Sequence, residues 1–329
     1  MTILSDRFDR RFPYLRLSVT EACNFSCSYC LPNGYKKKAG PSFMNLQEIK
    51  KLVTAFAALG VKKIRLTGGE PTLRQDLPHI IDAIANTPGI ETVAMTTNGY
   101  KLPEKIGHYV DAGLSALNVS LDSVSSKRFK NITGHDRLDE VLEGINKAMS
   151  LGLEKVKINA VLMAGLNDDE MAKYLNLIKC KQMDVRFIEL MRTGDNDAYF
   201  NKHHLDPVAI IDDLKRFDWV EDERGYTDGP ARSFSNKNYA GRVGFIAPYA
   251  KNFCNGCNRL RVSATGGLQL CLFDSGTYDL REYLSPNGPD SNITDMQDRI
   301  CMLLGMKPPT HELHEGQSGR THNLSIIGG

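Results

Sequence analysis

Six of the eight cysteines fall into two sets of three, Cys23-x3-Cys27-x2-Cys30 and Cys254-x2-Cys257-x13-Cys271. Thiolates this close, on a loop, can wrap a cubane iron–sulfur cluster. Three ligands for four irons leave one iron without a protein ligand, an open position where chemistry can happen. A structural zinc ion is the alternative for each set. Zinc would want a fourth ligand, and no histidine lies between Met1 and Pro78 or between His204 and His311. The residues therefore point to two 4Fe-4S clusters, each on three cysteines of the chain. Cys180 and Cys301 stand apart, beside Ile178 and Met302 in apolar helical patterns, and read as core cysteines.

Cations are the second chemical signal. Arg259 and Arg261 follow Cys257 and, on a strand, point the same way. Arginine offers a planar, permanent charge suited to phosphate oxygens. A solvated edge strand is the ordinary alternative. Further cations sit on strands with strict alternation. Leu15, Leu17 and Val19 oppose Arg16 and Ser18; Ile64 and Leu66 oppose Lys63, Arg65 and Thr67. Leu117, Val119 and Leu121 oppose Asn118, Ser120 and Asp122; Val156, Ile158, Ala160 and Leu162 oppose Lys157 and Asn159. Arg186 has a blurred face, because Phe187, Ile188 and Leu190 surround it.

These residues need a scaffold. Strands are expected at Leu15–Val19, Lys63–Thr67, Thr92–Thr97, Ala116–Asp122, Val156–Met163 and Asp184–Leu190. Helices are expected between them, at Leu77–Ala85, Glu104–Ala112, Leu138–Leu151 and Asp169–Cys180. The clearest helix carries Leu46, Ile49, Leu52, Val53, Phe56 and Leu59 on one face, with Asn45 and Glu48 as a capping box and Gly60 at its end. Six strand–helix repeats read as parallel βα units. A sheet covered on both faces has nearly continuous apolar strands, and a closed barrel is filled by branched apolar side chains. Neither suits strands that are oily on one face and cationic on the other. The expected fold is α/β: an open, partial (βα)6 TIM-like barrel with a wet, cationic lumen. Beyond about residue 220 the rhythm changes. Short strands at Val243–Ile246, Leu260–Val262 and Leu268–Phe273 and a helix over 293–305 suggest a smaller α+β domain, dividing the chain into 1–220 and 221–329.

The 329 residues are 41% hydrophobic and 24% charged, with a net charge of +2. Such a balance argues against a broad nucleic-acid or membrane footprint, which needs a basic excess. No apolar run approaches a membrane span or a signal peptide, which suggests the cytoplasm. Eight cysteines in a reducing compartment favour metal or redox chemistry over disulfides.

The first cysteine set, with Tyr29 before its last cysteine, resembles the radical S-adenosylmethionine (SAM) superfamily. Gly68-Gly69-Glu70-Pro71, one βα unit later, strengthens the likeness. Glycines let a backbone approach a ligand closely. The resemblance implies that SAM chelates the open iron of the first cluster, near Gly68, Gly69 and Glu70. It also implies contacts from Tyr29, Thr96 and Ser120, with Lys157 as a further candidate. Two three-cysteine sets, the second enclosing Arg259-Leu260-Arg261, resemble the GTP 3′,8-cyclase family of molybdenum-cofactor biosynthesis. LRLSVTEACNFSCSYC, IRLTGGEPTLR, NVSLDS, KINAVLMAGLND, RFIELM and the terminal Gly328-Gly329 match it nearly end to end.

That family implies GTP between the clusters, hydrogen removal from ribose C3′ and a new C3′–C8 bond. It implies a downstream cyclic pyranopterin monophosphate synthase, an electron donor and a C-terminal Gly328-Gly329 that reaches the active site. A homodimer is the assembly to test. Arg16, Lys63, Arg65, Arg186, Arg259 and Arg261 are the residues expected to surround triphosphate and ribose. Lys36–Lys38 reads as a solvated loop, and His311 and His314 as surface residues. A radical SAM enzyme acting on peptide or RNA is one rival; a zinc-stabilised binding module is another.

Overall fold

The computed structural model describes residues 4–37, 39–273, 276–284, 293–311 and 313. The elements follow in the order β1 (Tyr14–Ser18), α1 (Leu46–Ala58), β2 (Lys63–Thr67), α2 (Leu77–Ala85), β3 (Thr92–Thr97) and α3 (Leu102–Asp111). Next come β4 (Ala116–Ser120), α4 (Ser126–Thr133), α5 (Leu138–Ser150), β5 (Lys155–Leu162), α6 (Met171–Ile178) and β6 (Asp184–Glu189). The expected capping box opens α1: Asn45 and Glu48 exchange side-chain bonds with each other's backbone N–H. Its apolar stripe, Ile49, Leu52, Val53 and Phe56, is buried against the oily faces of the strands. Helix α4 escaped the periodicity reading because its contribution to the core is small, chiefly Phe129 and Ile132.

The chain then forms α7 (Asp197–His203), α8 (Val208–Arg216), β7 (Val220–Glu221), β8 (Arg232–Ser235), β9 (Arg242–Ile246) and β10 (Arg259–Val262). It continues with β11 (Gly267–Gln269), β12 (Tyr278–Asp279), α9 (Arg281–Leu284) and α10 (Ile293–Leu304). The strands of this later part join the first six. One 12-stranded sheet runs β12-β11-β10-β1-β2-β3-β4-β5-β6-β9-β8-β7 among the described residues. β10 is parallel to β1 and β9 is parallel to β6, so the parallel run continues at both ends before antiparallel strands finish it. The stretch expected as a strand over Leu268–Phe273 stops at Gln269; Leu270 to Phe273 leave the sheet to line a cavity with Cys271.

The two remaining cysteines are exposed and not in the core. Cys180 lies past the end of α6, and the buried side of α10 is Met296, Ile300, Leu303 and Leu304, which turns Cys301 outward. No helix among the described residues is long and apolar enough to cross a membrane.

One corner fixes how the first cysteine loop sits on the sheet. After β2, Gly68 adopts φ +140°, and a Cβ there would lie 2.1 Å from the Thr20 carbonyl oxygen. A Cβ on Gly69 would lie 2.3 Å from the Ala22 carbonyl oxygen. Gly69 N–H donates to Thr20 and Glu70 N–H to Ala22, at 3.0 and 2.8 Å. The glycines thus let two backbones touch, directly before Cys23. Gly68→Ala is expected to cost about 3 kcal/mol or more through clash and backbone strain. Gly152→Ala, also at positive φ but with nothing within 4 Å, should cost only about 1 kcal/mol. Denaturant unfolding midpoints of the two variants check this; equal losses would show that the corner is not tight.

Candidate functional site

The first cavity is lined by Cys23, Cys27 and Cys30 together with Tyr29, Gly68, Gly69, Thr96 and Ser120. The strand-end residues come from β3 and β4, and the glycines from the corner after β2. Glu70 is fully buried and binds the protein itself. It accepts from Thr97 Oγ1 at 2.7 Å, Asn98 N at 2.6 Å and Thr72 N at 3.0 Å. It therefore ties the ends of β2 and β3 together behind the cysteine loop. Tyr29 donates to Asp122 Oδ2 at 2.9 Å, and Val161 N donates to Asp122 Oδ1 at 2.8 Å.

Asn98 and Asp122 were not singled out as site residues from sequence. Asn98 Nδ2 lies 3.9 Å from Cys23 Sγ and donates to Asn24 Oδ1 at 3.0 Å. Asp122 was visible as a polar-face position on a strand, and that was its only signal. Burial pushes its carboxyl up to about 6, against the bonds from Val161 and Tyr29.

The second cavity holds Cys254, Cys257 and Cys271 with Arg16, Lys63, Arg65, Arg186, Arg259 and Arg261. Sheet register explains the convergence. In parallel pairing, Arg261, Arg16 and Arg65 are direct neighbours across β10, β1 and β2, and Arg259, Tyr14 and Lys63 form the next row. Arg186 joins them from β6, which resolves its blurred alternation. Lys157, grouped by resemblance with the SAM contacts, lines this second cavity and not the first. It faces Asp184 in register and pairs with it at 2.7 Å. His311, read as a surface residue, is buried in the same cavity, in edge-on contact with Phe273. His314 and Gly328-Gly329 lie outside the described residues.

The two cavities share walls at Arg16, Thr96, Asn159, Ile188 and Met191. A molecule in one therefore borders a molecule in the other.

Electrostatics differ between the sites. Burial raises the Cys23 thiol to about 11, with Glu70 adding to the rise. Burial also raises Cys27, and Asp122 adds to it. At Cys257, burial is outweighed by Lys307, Arg259 and Arg10, and the thiol falls below its usual range. Within the cation cluster, burial and the neighbouring guanidinium of Arg261 press Arg16 down to about 9. Burial and Arg259 press Arg261 down to about 10. Burial likewise lowers Lys63 to about 8. Lys63, Arg65, Arg186, Arg259 and Arg261 form no ion pair with a carboxylate among the described residues, and Nε of Arg186, Arg259 and Arg261 is buried without a hydrogen-bond partner there. Unmatched buried donors of one sign call for an anion of several charges.

The donor sets fit clusters. Each cavity presents three sulfurs around open space.

Comparisons with known proteins agree with this geometry. Residues 17–178 match the radical SAM superfamily model, and residues 183–313 match Molybdenum Cofactor Synthesis C. The GTP 3′,8-cyclase of Stenotrophomonas maltophilia (strain K279a) is 52% identical over 329 residues, covering 100% of both chains. The chain belongs to the GTP 3′,8-cyclase family. The cyclase of Tolumonas auensis is 51% identical over 99% of this chain and 96% of its own, and that of Yersinia pestis is 47% identical over 100% of both. Streptococcus suis SuiB bound to S-adenosylmethionine has the same fold, with a TM-score of 0.58, 16% identity and coverage of 89% of this chain and 66% of that one. The likeness supports the expected α/β partial barrel with added C-terminal structure.

Tyr14 gives the cyclase cavity a titration. Burial would raise its phenol, but Arg65, Arg16, Lys63 and Arg259 outweigh it and bring it from 10.0 to about 7. Arg65 Nε donates to its hydroxyl at 2.5 Å. A depressed acid stabilises the folded state above its unfolded pKa, and that stability is lost as pH falls through the folded value. Without nucleotide, the stability difference between wild type and Tyr14→Phe should shift in favour of wild type as pH rises from about 7 towards 10. Inorganic triphosphate should flatten that trend by supplying the missing negative charge. Denaturation at stepped pH measures both; parallel curves for the two proteins would remove Tyr14 from the charge balance.

Proposed function

We propose that this chain converts GTP to 3′,8-cyclo-7,8-dihydro-GTP by a radical route, as the first step of molybdopterin biosynthesis. The observation that carries this reading is the cluster of cations that lines the second three-cysteine cavity, which shares a wall with the first, with no carboxylate ion pair among the described residues for Lys63, Arg65, Arg186, Arg259 and Arg261. In it, Cys23, Cys27 and Cys30 would hold one 4Fe-4S cluster, and Cys254, Cys257 and Cys271 the other. When bound and reduced, the first cluster supplies the electron that splits SAM and yields a 5′-deoxyadenosyl radical.

The chain's own residues do the positioning. Gly68, Gly69, Thr96 and Ser120 form the wall for SAM, and Tyr29, anchored on Asp122, closes the cysteine loop beside it. Glu70 serves by bracing that wall. Arg259, Arg261, Arg16, Lys63, Arg65 and Arg186 neutralise the triphosphate and hold ribose towards the first cavity. Lys157, already paired with Asp184, belongs to the same group. The shared wall between the cavities would bring ribose C3′ to the SAM side and leave the purine towards the second cysteine set. The hydrogen atom at C3′ would pass to the 5′-deoxyadenosyl radical, giving 5′-deoxyadenosine; C3′ would then bond to C8 as the C8–N7 double bond opens, and one electron from the reduced donor and one proton would complete the dihydropurine. Excluding water from this path protects the carbon radical.

In this reading the reaction runs in the cytoplasm, takes its electron from a reduced protein donor and passes product to the pyranopterin monophosphate synthase. A homodimer is compatible with it. A role for Gly328-Gly329 in cyclisation rests on the family resemblance.

GTP deuterated at ribose C3′ tests the reading under anaerobic conditions with reductant and SAM. Deuterium should appear in 5′-deoxyadenosine, followed by mass spectrometry. SAM cleavage without transfer would reject GTP or this abstraction site. Arg259→Ala should keep the iron of both clusters and lose about 10- to 100-fold in kcat/KM for GTP, the scale of a lost charged hydrogen bond. Unchanged turnover would take Arg259 out of the site. Deleting Gly328-Gly329 should leave cluster loading intact and stop cyclisation; full cyclisation in that variant would return the two glycines to an ordinary tail.

A further inference from the structure

We propose that Lys307 is the built-in counter-cation of the second cluster and makes that cluster easier to reduce. The inference rests on the reading that Cys254, Cys257 and Cys271 carry an iron–sulfur cluster.

Lys307 is only 2% exposed and ranks among the largest fully buried side chains. It lines the cavity that holds all three of those cysteines. Its Nζ donates to the carbonyl of Leu270, the residue before Cys271, and lies 5.5 Å from the centre of the Phe12 ring. A carbonyl and an aromatic face are modest compensation for a buried ammonium. No carboxylate among the described residues pairs with it. Burying an unpaired charge is strongly unfavourable, so an anion is missing from this arrangement.

The backbone that follows Lys307 is also held in place. Arg10 donates to the carbonyls of Pro308 and Pro309, each at 2.7 Å, and to that of Cys254 at 3.3 Å. Arg10 is itself fixed by Asp6 at 2.7 Å, with both side chains buried. The N-terminal segment therefore clamps the cysteine loop and the two residues after Lys307 as one unit. The clamp fixes the backbone on either side of the cavity, and the bond to Leu270 holds the ammonium next to Cys271.

A cubane bound by three thiolates is a net anion. Taking up one electron adds a negative charge inside a poorly screened cavity. A fixed cation nearby stabilises the reduced form more than the oxidised form, and net charge is one of the factors that set cluster potentials. At the first site Glu70 and Asp122 act on Cys23 and Cys27, and among the described residues Arg16 is the one cation lining that cavity. The chain thus gives its two clusters opposite surroundings.

The test uses full-length protein with both clusters reconstituted anaerobically, as wild type, Lys307→Met and Lys307→Arg. Each is titrated electrochemically without nucleotide and followed by electron paramagnetic resonance, with iron and sulfide assayed. The second cluster of Lys307→Met should be harder to reduce by at least tenfold in its redox equilibrium, about 59 mV for one electron. The first cluster should not move, and Lys307→Arg should stay near wild type. Loss of the second cluster in Lys307→Met but not in Lys307→Arg would support the same need for charge. Loss in both would overturn the proposal, because shape and not charge would then be required. An unmoved potential in Lys307→Met would overturn it too, and a raised KM for GTP in that case would assign Lys307 to the nucleotide. A wild-type chain that takes iron only at the first site would instead reject the two-cluster reading beneath it.

Discussion

The structure turns on three arginines held side by side. Arg261, Arg16 and Arg65 occupy one register row across β10, β1 and β2. Like charges in neighbouring buried positions repel, and desolvation adds to the cost. The row exists only because β10, from late in the chain, lies parallel to β1, from its start. That single pairing brings the second cysteine set to the lumen, since Cys257 stands two residues before Arg259. It also commits the cavity to an anionic guest. Packing on the opposite, oily faces of the strands holds the sheet while the lumen waits for one. Apolar burial at about 25 cal/mol per Å² makes such a trade possible.

The two ends of the lumen are chemically unlike. Carboxylates stand near the first cysteine set: Asp122 bound to Tyr29, and Glu70 behind the loop. Cations stand near the second: Arg259, Arg261 and Lys307. A bound anion is therefore drawn towards the second set, and the first is left free for a different ligand. Because Arg16 and Thr96 line both cavities, the two ligands would meet at a common wall. Separation of charge along the lumen gives each ligand its own end without any moving part.

Much of this was legible in the sequence, and the reasons are local. Cysteine spacing is set by how a loop wraps a cluster. Alternation along β1, β2 and β5 followed directly from the two-residue period of a strand, and it put Arg16, Lys63, Arg65 and Lys157 on one face. The capping box at Asn45 is a four-residue signal and was equally plain. What stayed hidden depends on pairings distant in sequence. Nothing local says that β9 and β10 extend the first sheet at opposite ends. His311 follows two prolines and looks exposed, yet the chain folds it against Phe273 and Phe253. Lys157 lines the second cavity with the other lumen cations, and Asp184 lies beside it on β6, a neighbour that only register reveals. Cys180 and Cys301 misled by sitting next to apolar residues whose helix faces point elsewhere.

The Gly68-Gly69-Glu70 corner is an instance of one motif meeting two demands. Glycines there are commonly read as making room for a ligand. In this chain the space their side chains would fill is taken by Thr20 and Ala22 carbonyls, so their first effect is to seat the cysteine loop against β2. Glu70 completes the joint by taking three donors from the ends of β2 and β3. A loop fastened this way keeps Cys23 in a fixed relation to Gly68 and Gly69, and all three line the first cavity. Rigidity of the corner and access for a ligand are thus one requirement: backbone can form the cavity wall only where no side chain intervenes, and only if that backbone does not move.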